Sequence, residues 1–116
     1  MKIDQSLFNK EEFRQWLESK PDGSIIGTAR NGCNCPIACF IRQEKKVPAD
    51  IHSDKAIITD NTIPMFRSRE IAIDLPWWAQ NFIYKIDSEA EDKKAANMRN
   101  AHEVSKERAL EVLGDS

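Results

Sequence analysis

Three cysteines stand close together in the stretch Cys33-Asn34-Cys35-Pro36-Ile37-Ala38-Cys39. Proline is favoured at the first position of a helix, where its missing N–H costs nothing, so Pro36 predicts a helix start with Cys35 as its cap. Cys39 then lies one turn on, roughly 40° around the helix from Cys35. Backbone N–H groups at a helix start stabilise a thiolate, provided the sulfur is not deep in apolar packing. Cys35 is therefore a candidate nucleophile or redox thiol, with Cys33 or Cys39 as the resolving partner. A metal is a second option, since three thiolates and the imidazole of His52 would complete a tetrahedral zinc set. The spacing Cys-x-Cys-x3-Cys, however, is neither the paired Cys-x2-Cys of common zinc sites nor an iron–sulfur run. The bland alternative makes Cys39 a small buried hydrophobe beside Phe40, with Cys35 closing a loop.

A second cluster is aromatic. Trp77, Trp78 and Tyr84 fall in one short apolar segment that opens at Pro76. Trp78, Ala79, Phe82, Ile83 and Ile86 share one helical stripe, while Trp77 and Tyr84 lie on its flank, one heptad apart. One stripe does not easily bury two adjacent indoles. The expectation is a partner or dimer contact through Trp77 and Tyr84, because exposed tryptophan is enriched at binding hot spots. The alternative is a fold that wraps this helix on two sides.

The remaining chemistry-bearing residues are dispersed. Arg67 and Arg69 would share a strand face and, with Arg42, Lys45 or Lys46, could meet an anion, although solvated surface is the base-rate reading. His52 and His102 sit in no catalytic motif, and the four glycines match no phosphate loop. Asp50, Asp54, Asp60 and Asp74 fall at strand ends or turns, where turn chemistry accounts for them. No cofactor is expected from these residues.

The chain has 116 residues, 41% hydrophobic and 31% charged, which bounds it to a single folded domain and not to a disordered or membrane chain. A domain of this length buries roughly two thirds of its unfolded surface, so it needs no disulfide or metal to hold together. Its start carries no apolar signal segment, and an odd cysteine count argues for a reducing compartment, so a cytoplasmic location is expected. The longest apolar run, Ile37 to Ile41, is too short to span a membrane. A net charge of −2 argues against general nucleic-acid binding.

The elements that must hold these clusters are well marked. Asn9 and Glu12 form a helix start, with Phe8 and Phe13 as a staple and Phe13, Trp16 and Leu17 on the inner face. Ser24 to Ala29 reads as a strand in which Gly27 marks a bulge or a close backbone approach. The helix from Pro36 ends in Gln43 to Lys46. Val47 to Ile51 and Lys55 to Thr59 suggest a hairpin, with Pro48 confining the first strand to an edge. Ile63 to Phe66 and Glu70 to Asp74 add extended pieces. The Pro76 helix is expected to run to about Asp87. Residues 88–116 form a charged helical segment that reads either as one long helix or as two, in which Ser88 can cap a helix through Asn100 on a stripe of Ala95, Met98 and Ala101. Ser105 caps another that buries Ala109, Leu110 and Leu113, with Gly114 as terminator. The fold class is α+β: a small, mostly antiparallel sheet of three or four strands flanked by four or five helices.

Several of these pieces combine. Lys20-Pro21-Asp22, Gly27, Cys35-Pro36-Ile37-Ala38, Pro76-Trp77 with Phe82 to Asp87, and Ser105 to Leu110 together resemble a group of short, uncharacterised bacterial proteins. That group shares a Cys-Pro-apolar-Ala step and a Pro-Trp helix. The resemblance implies a small free-standing bacterial protein and brings no activity or ligand with it. The functional expectation is a non-enzymatic interaction or regulatory module that contacts a protein partner or a second copy through the Pro76–Asp87 helix. The alternative is a thiol-redox or metal-binding protein using Cys33, Cys35 and Cys39.

Overall fold

The computed structural model describes residues 3–60 and 69–115. Its class is α+β, with four α-helices and two small antiparallel sheets. Helix α1 (Lys10–Glu18) begins as its sequence dictates: the Asn9 side chain accepts a hydrogen bond from the N–H of Glu12 at 3.0 Å. The Glu12 carboxylate pairs with Lys45 at 2.5 Å, tying α1 to the end of the next helix. Phe13, Trp16 and Leu17 form the buried face.

Strand β1 (Ile25–Thr28) leads by a loop into α2 (Pro36–Phe40), with Cys35 as cap and Pro36 at the first helical position. One π turn, Ile41–Lys45, extends α2 and ends at Lys46 in the left-handed region. Gly27 has a steric reason. A Cβ there would lie 2.6 Å from the backbone nitrogen of Pro36, so only glycine lets β1 run against the start of α2. A bulge between Ile25 and Gly27 accompanies this approach.

Strands β2 (Ala49–Ile51), β3 (Lys55–Asp60) and β4 (Arg69–Asp74) form an antiparallel meander in that order. Pro48 stands just before the edge strand β2, where its missing N–H is harmless. On β3, Ala56, Ile58 and Asp60 are buried in alternation, and Ala56 faces Ile73 across the ladder. The extended piece expected at Ile63 to Phe66 lies outside the described residues.

Helix α3 (Trp77–Ala95) corrects the sequence expectation in length. Pro76 is its cap, and the helix passes straight through Ser88 because the buried stripe of Phe82, Ile83 and Ile86 continues to Ala90. It ends after Ala95, with Asn97 in the left-handed conformation. Ala95 and Met98 are consequently exposed and form no inner stripe. A fifth strand, β5 (Glu103–Ser105), not foreseen from sequence, pairs antiparallel with β1, with Gly27 opposite Val104. The strands therefore divide between two sheets, and α2 packs on both, against β1 and against β2.

Ser105 ends β5 and caps α4 (Lys106–Gly114), accepting from the N–H of Arg108 at 3.1 Å. Ala109, Val112 and Leu113 are its buried residues, while Leu110 packs at the margin of the core. Helix α4 lies on α1 and α3. The Lys106 ammonium closes the end of α1 by donating to the carbonyl of Lys20 at 2.8 Å. Arg108 grips Glu89 of α3 through Nε at 2.8 Å and Nη2 at 2.7 Å, with Lys93 on the same carboxylate at 3.3 Å. These donors, Arg108 first, hold the Glu89 carboxyl below its ordinary range.

Gly27→Ala is expected to destabilise the fold by about 1–3 kcal/mol, since backbone must move to admit the methyl group. Urea unfolding measures this, and an unchanged midpoint would contradict the close approach. Glu89 supplies stability above the pKa of an unfolded glutamate, and the native state loses it as pH falls through the depressed folded value. Glu89→Gln should therefore flatten the loss of stability on acidification below about pH 4.5. Equal acid limbs for the variant and the wild-type chain would refute that.

Candidate functional site

The two indoles at the head of α3 go opposite ways. Trp78 turns inward: its ring lies 5.7 Å from that of Phe13 and its Nε1–H donates to the carbonyl of Phe8 at 3.1 Å. Trp77 turns outward and is 73% exposed, as is Tyr84 two turns further along. Both line an open cleft of about 560 Å³ that runs along α3, with Gln80 and Asn81 between them. Its far end is polar, formed by Asp87, Ser88 and Glu91.

Two segments from elsewhere in the chain build the opposite bank. One is the β2–β3 turn, through Ser53 and Asp54. The other is the loop after β1, through Arg30. Arg30 has a left-handed backbone, φ 60°, which residues other than glycine, Asn or Asp seldom adopt. Asp87 stabilises that conformation, its Oδ1 accepting from the N–H of Arg30 at 2.9 Å. The guanidinium of Arg30 forms an ion pair with Glu91, one turn further along α3. Two carboxylates of α3 thus fix the loop that faces them.

A second depression, about 410 Å³, adjoins the first and shares Arg30, Ser53, Ile83 and Asp87 with it. Asp50 and His52 lie on its rim, 3.5 Å apart. Gly32 brings the loop down onto β2, where its carbonyl accepts from the N–H of Ile51 at 2.9 Å. A Cβ on Gly32 would meet Asp50 Oδ1 at 2.2 Å.

Two of the three cysteines are buried. Cys35 is buried and its sulfur accepts from the N–H of Ala38 at 3.4 Å, doing the work usually given to Ser or Asp. Burial pushes its thiol up to about 12, overriding the backbone N–H groups that favour the thiolate. Cys39 is buried too; its thiol donates to the carbonyl of Asn34 at 3.4 Å. Burial raises its pKa as well, against the opposing pull of Arg42. Cys33 is exposed on the loop, and its carbonyl accepts from Arg42 Nη1 at 3.0 Å. Among the described residues no three of His, Cys, Asp or Glu converge to hold a metal ion, so Cys33, Cys35, Cys39 and His52 do not gather into the tetrahedral set. His52 faces Asp50, across the rim of the polar depression.

Several of the basic residues weighed as an anion site already have partners. Arg42 and Lys45 are engaged with Cys33 and Glu12, and Arg69 stands 3.9 Å from Asp60, while Arg67 lies outside the described residues. His102 contacts the carbonyl of Ala29 at 3.2 Å, beside the β1–β5 pair. The importance of Arg30 and Asp87 was not visible in sequence. Nothing local marks Arg30 as left-handed, and Asp87 reads as an ordinary helix-end carboxylate.

No helix among the described residues is long and apolar enough to cross a membrane. Comparison of the chain with protein-family models, with curated proteins and with solved structures gives no match in any of the three.

Thiol reactivity tests this arrangement. Near pH 8, about the pKa of a free thiol, a disulfide reagent should modify one cysteine rapidly and the other two only on unfolding. Cys33→Ser should abolish the rapid phase. A rapid phase that survives this substitution would show that Cys35 or Cys39 is accessible after all.

Proposed function

We propose that this chain is a non-enzymatic interaction module that docks a protein partner on the outer face of α3. The observation that carries this reading is the pair Trp77 and Tyr84, both largely exposed and lining one cleft. Leaving two large aromatic rings in water forgoes the favourable free energy of burying them, and each ring brings wide contact area at little conformational cost. Such residues are the usual anchors of protein interfaces. The thiol alternative draws less support, because the sulfur at the head of α2 is buried and held protonated. The free thiols suit a reducing compartment such as the cytoplasm.

A random peptide library displayed on phage provides the test. Selection on the wild-type chain should yield a convergent motif, and Trp77→Ala with Tyr84→Ala should weaken its binding by about tenfold or more. The substituted chain should keep its stability within about 0.5 kcal/mol, since both side chains are at the surface. A motif that binds the doubly substituted chain equally well, or no motif at all, would overturn the proposal.

A further inference from the structure

Resting on that docking face, we infer that its occupant is a basic segment of another protein, with an apolar anchor seated at Trp77 and Lys or Arg side chains reaching the Asp87 end of the cleft. The charge distribution carries the argument. Among the described residues, the two adjoining depressions are lined by Asp50, Asp54, Asp87 and Glu91 against the guanidinium of Arg30. Three negative charges remain, more than the net −2 of the entire chain. The described part of this face is therefore more acidic than the chain as a whole. Arg30 does not cancel this acidity, because that guanidinium is already committed to Glu91. Asp87 accepts from a neutral backbone N–H, which leaves its full charge directed at the cleft.

The aromatic residues reinforce the preference. Trp and Tyr faces attract cations, most strongly over the indole. A cationic side chain lying along α3 would find ring faces and carboxylates in succession. The succession also has a direction. Trp77 and Tyr84 are about 10 Å apart along the axis, and Asp87 and Glu91 follow within two further turns. An occupant matching this order carries its apolar residue first and its basic residues about 10–15 Å away, a span of three to five extended residues. A second copy of this chain does not match, since apposing the two faces would set three negative charges against three within a Debye length of about 8 Å.

The peptides selected on the wild-type chain decide between these occupants. Expected are sequences with an apolar anchor and a net positive charge, whose affinity falls about tenfold or more between low and moderate salt. Asp54→Asn combined with Asp87→Asn should weaken them by about fivefold or more, a change in attraction and not in shape, because asparagine still offers an oxygen to the Arg30 N–H. Neutral or acidic peptides that still require Trp77 would overturn the basic occupant and leave the docking face standing. So would a concentration-dependent dimer, seen by sedimentation and abolished by Trp77→Ala, which would make the second copy the occupant. The absence of any Trp77-dependent peptide would overturn both readings together.

Discussion

The ring of Phe13 is the point from which the rest of the molecule takes its orientation. It is fully buried and meets the rings of Phe40 at 5.4 Å, Phe82 at 5.2 Å and Trp78 at 5.7 Å, so one side chain of α1 sets the seating of both α2 and α3. Two of these contacts are near perpendicular or edge-on, the geometry in which ring quadrupoles attract. Phe82 and Trp78 are one turn apart, so both can reach Phe13 only if α3 presents that one stripe to it. Once Trp78 faces in, Trp77 must face out. The exposed aromatic surface of α3 is thus a consequence of packing on its opposite side.

The cleft depends on a second set of constraints, which hold the backbone of its loops in place. Gly27 allows β1 to touch the first turn of α2, Gly32 allows the following loop to settle on β2, and Asp87 fastens Arg30 between them. The same tight packing explains the behaviour of the sulfurs. The start of α2 would be a good place for a thiolate in a more open structure. Here the helix start is pressed between β1 and β2, and desolvation of Cys35 outweighs its N–H neighbours. The sulfur serves as a weak capping acceptor, and the chemistry suggested by its position in the sequence is displaced by the packing that this position requires.

Much of this was legible in the chain because it is written in local rules. Asn9, Pro36 and Ser105 each announce a helix start that short-range geometry enforces, and the split between Trp77 and Trp78 follows from helical periodicity. Ser88 misled because capping chemistry and mid-helix serine look alike until the continuation of the stripe to Ala90 is weighed. Strand β5 has only three residues, with Val104 alone buried, and no local pattern of that length identifies a strand. Its existence depends on β1, far away in the sequence. The cleft has the same character. Its two banks come from three separate stretches, and the left-handed turn at Arg30 is imposed by an aspartate from another element.

The pairing of β1 with β5 has a bearing on how the chain comes into being. Thr28 lies opposite Glu103, 75 positions later, whereas every contact within the β2–β3–β4 meander is made by near neighbours. On a ribosome the meander can close while synthesis continues, but β1 must wait, its hydrogen-bonding edge unmatched, until residues 103–105 emerge. Throughout that interval the nascent chain carries an open strand with Ile25 and Ile26 side by side, so premature termination before β5 would leave behind a fragment prone to sticking to its own kind.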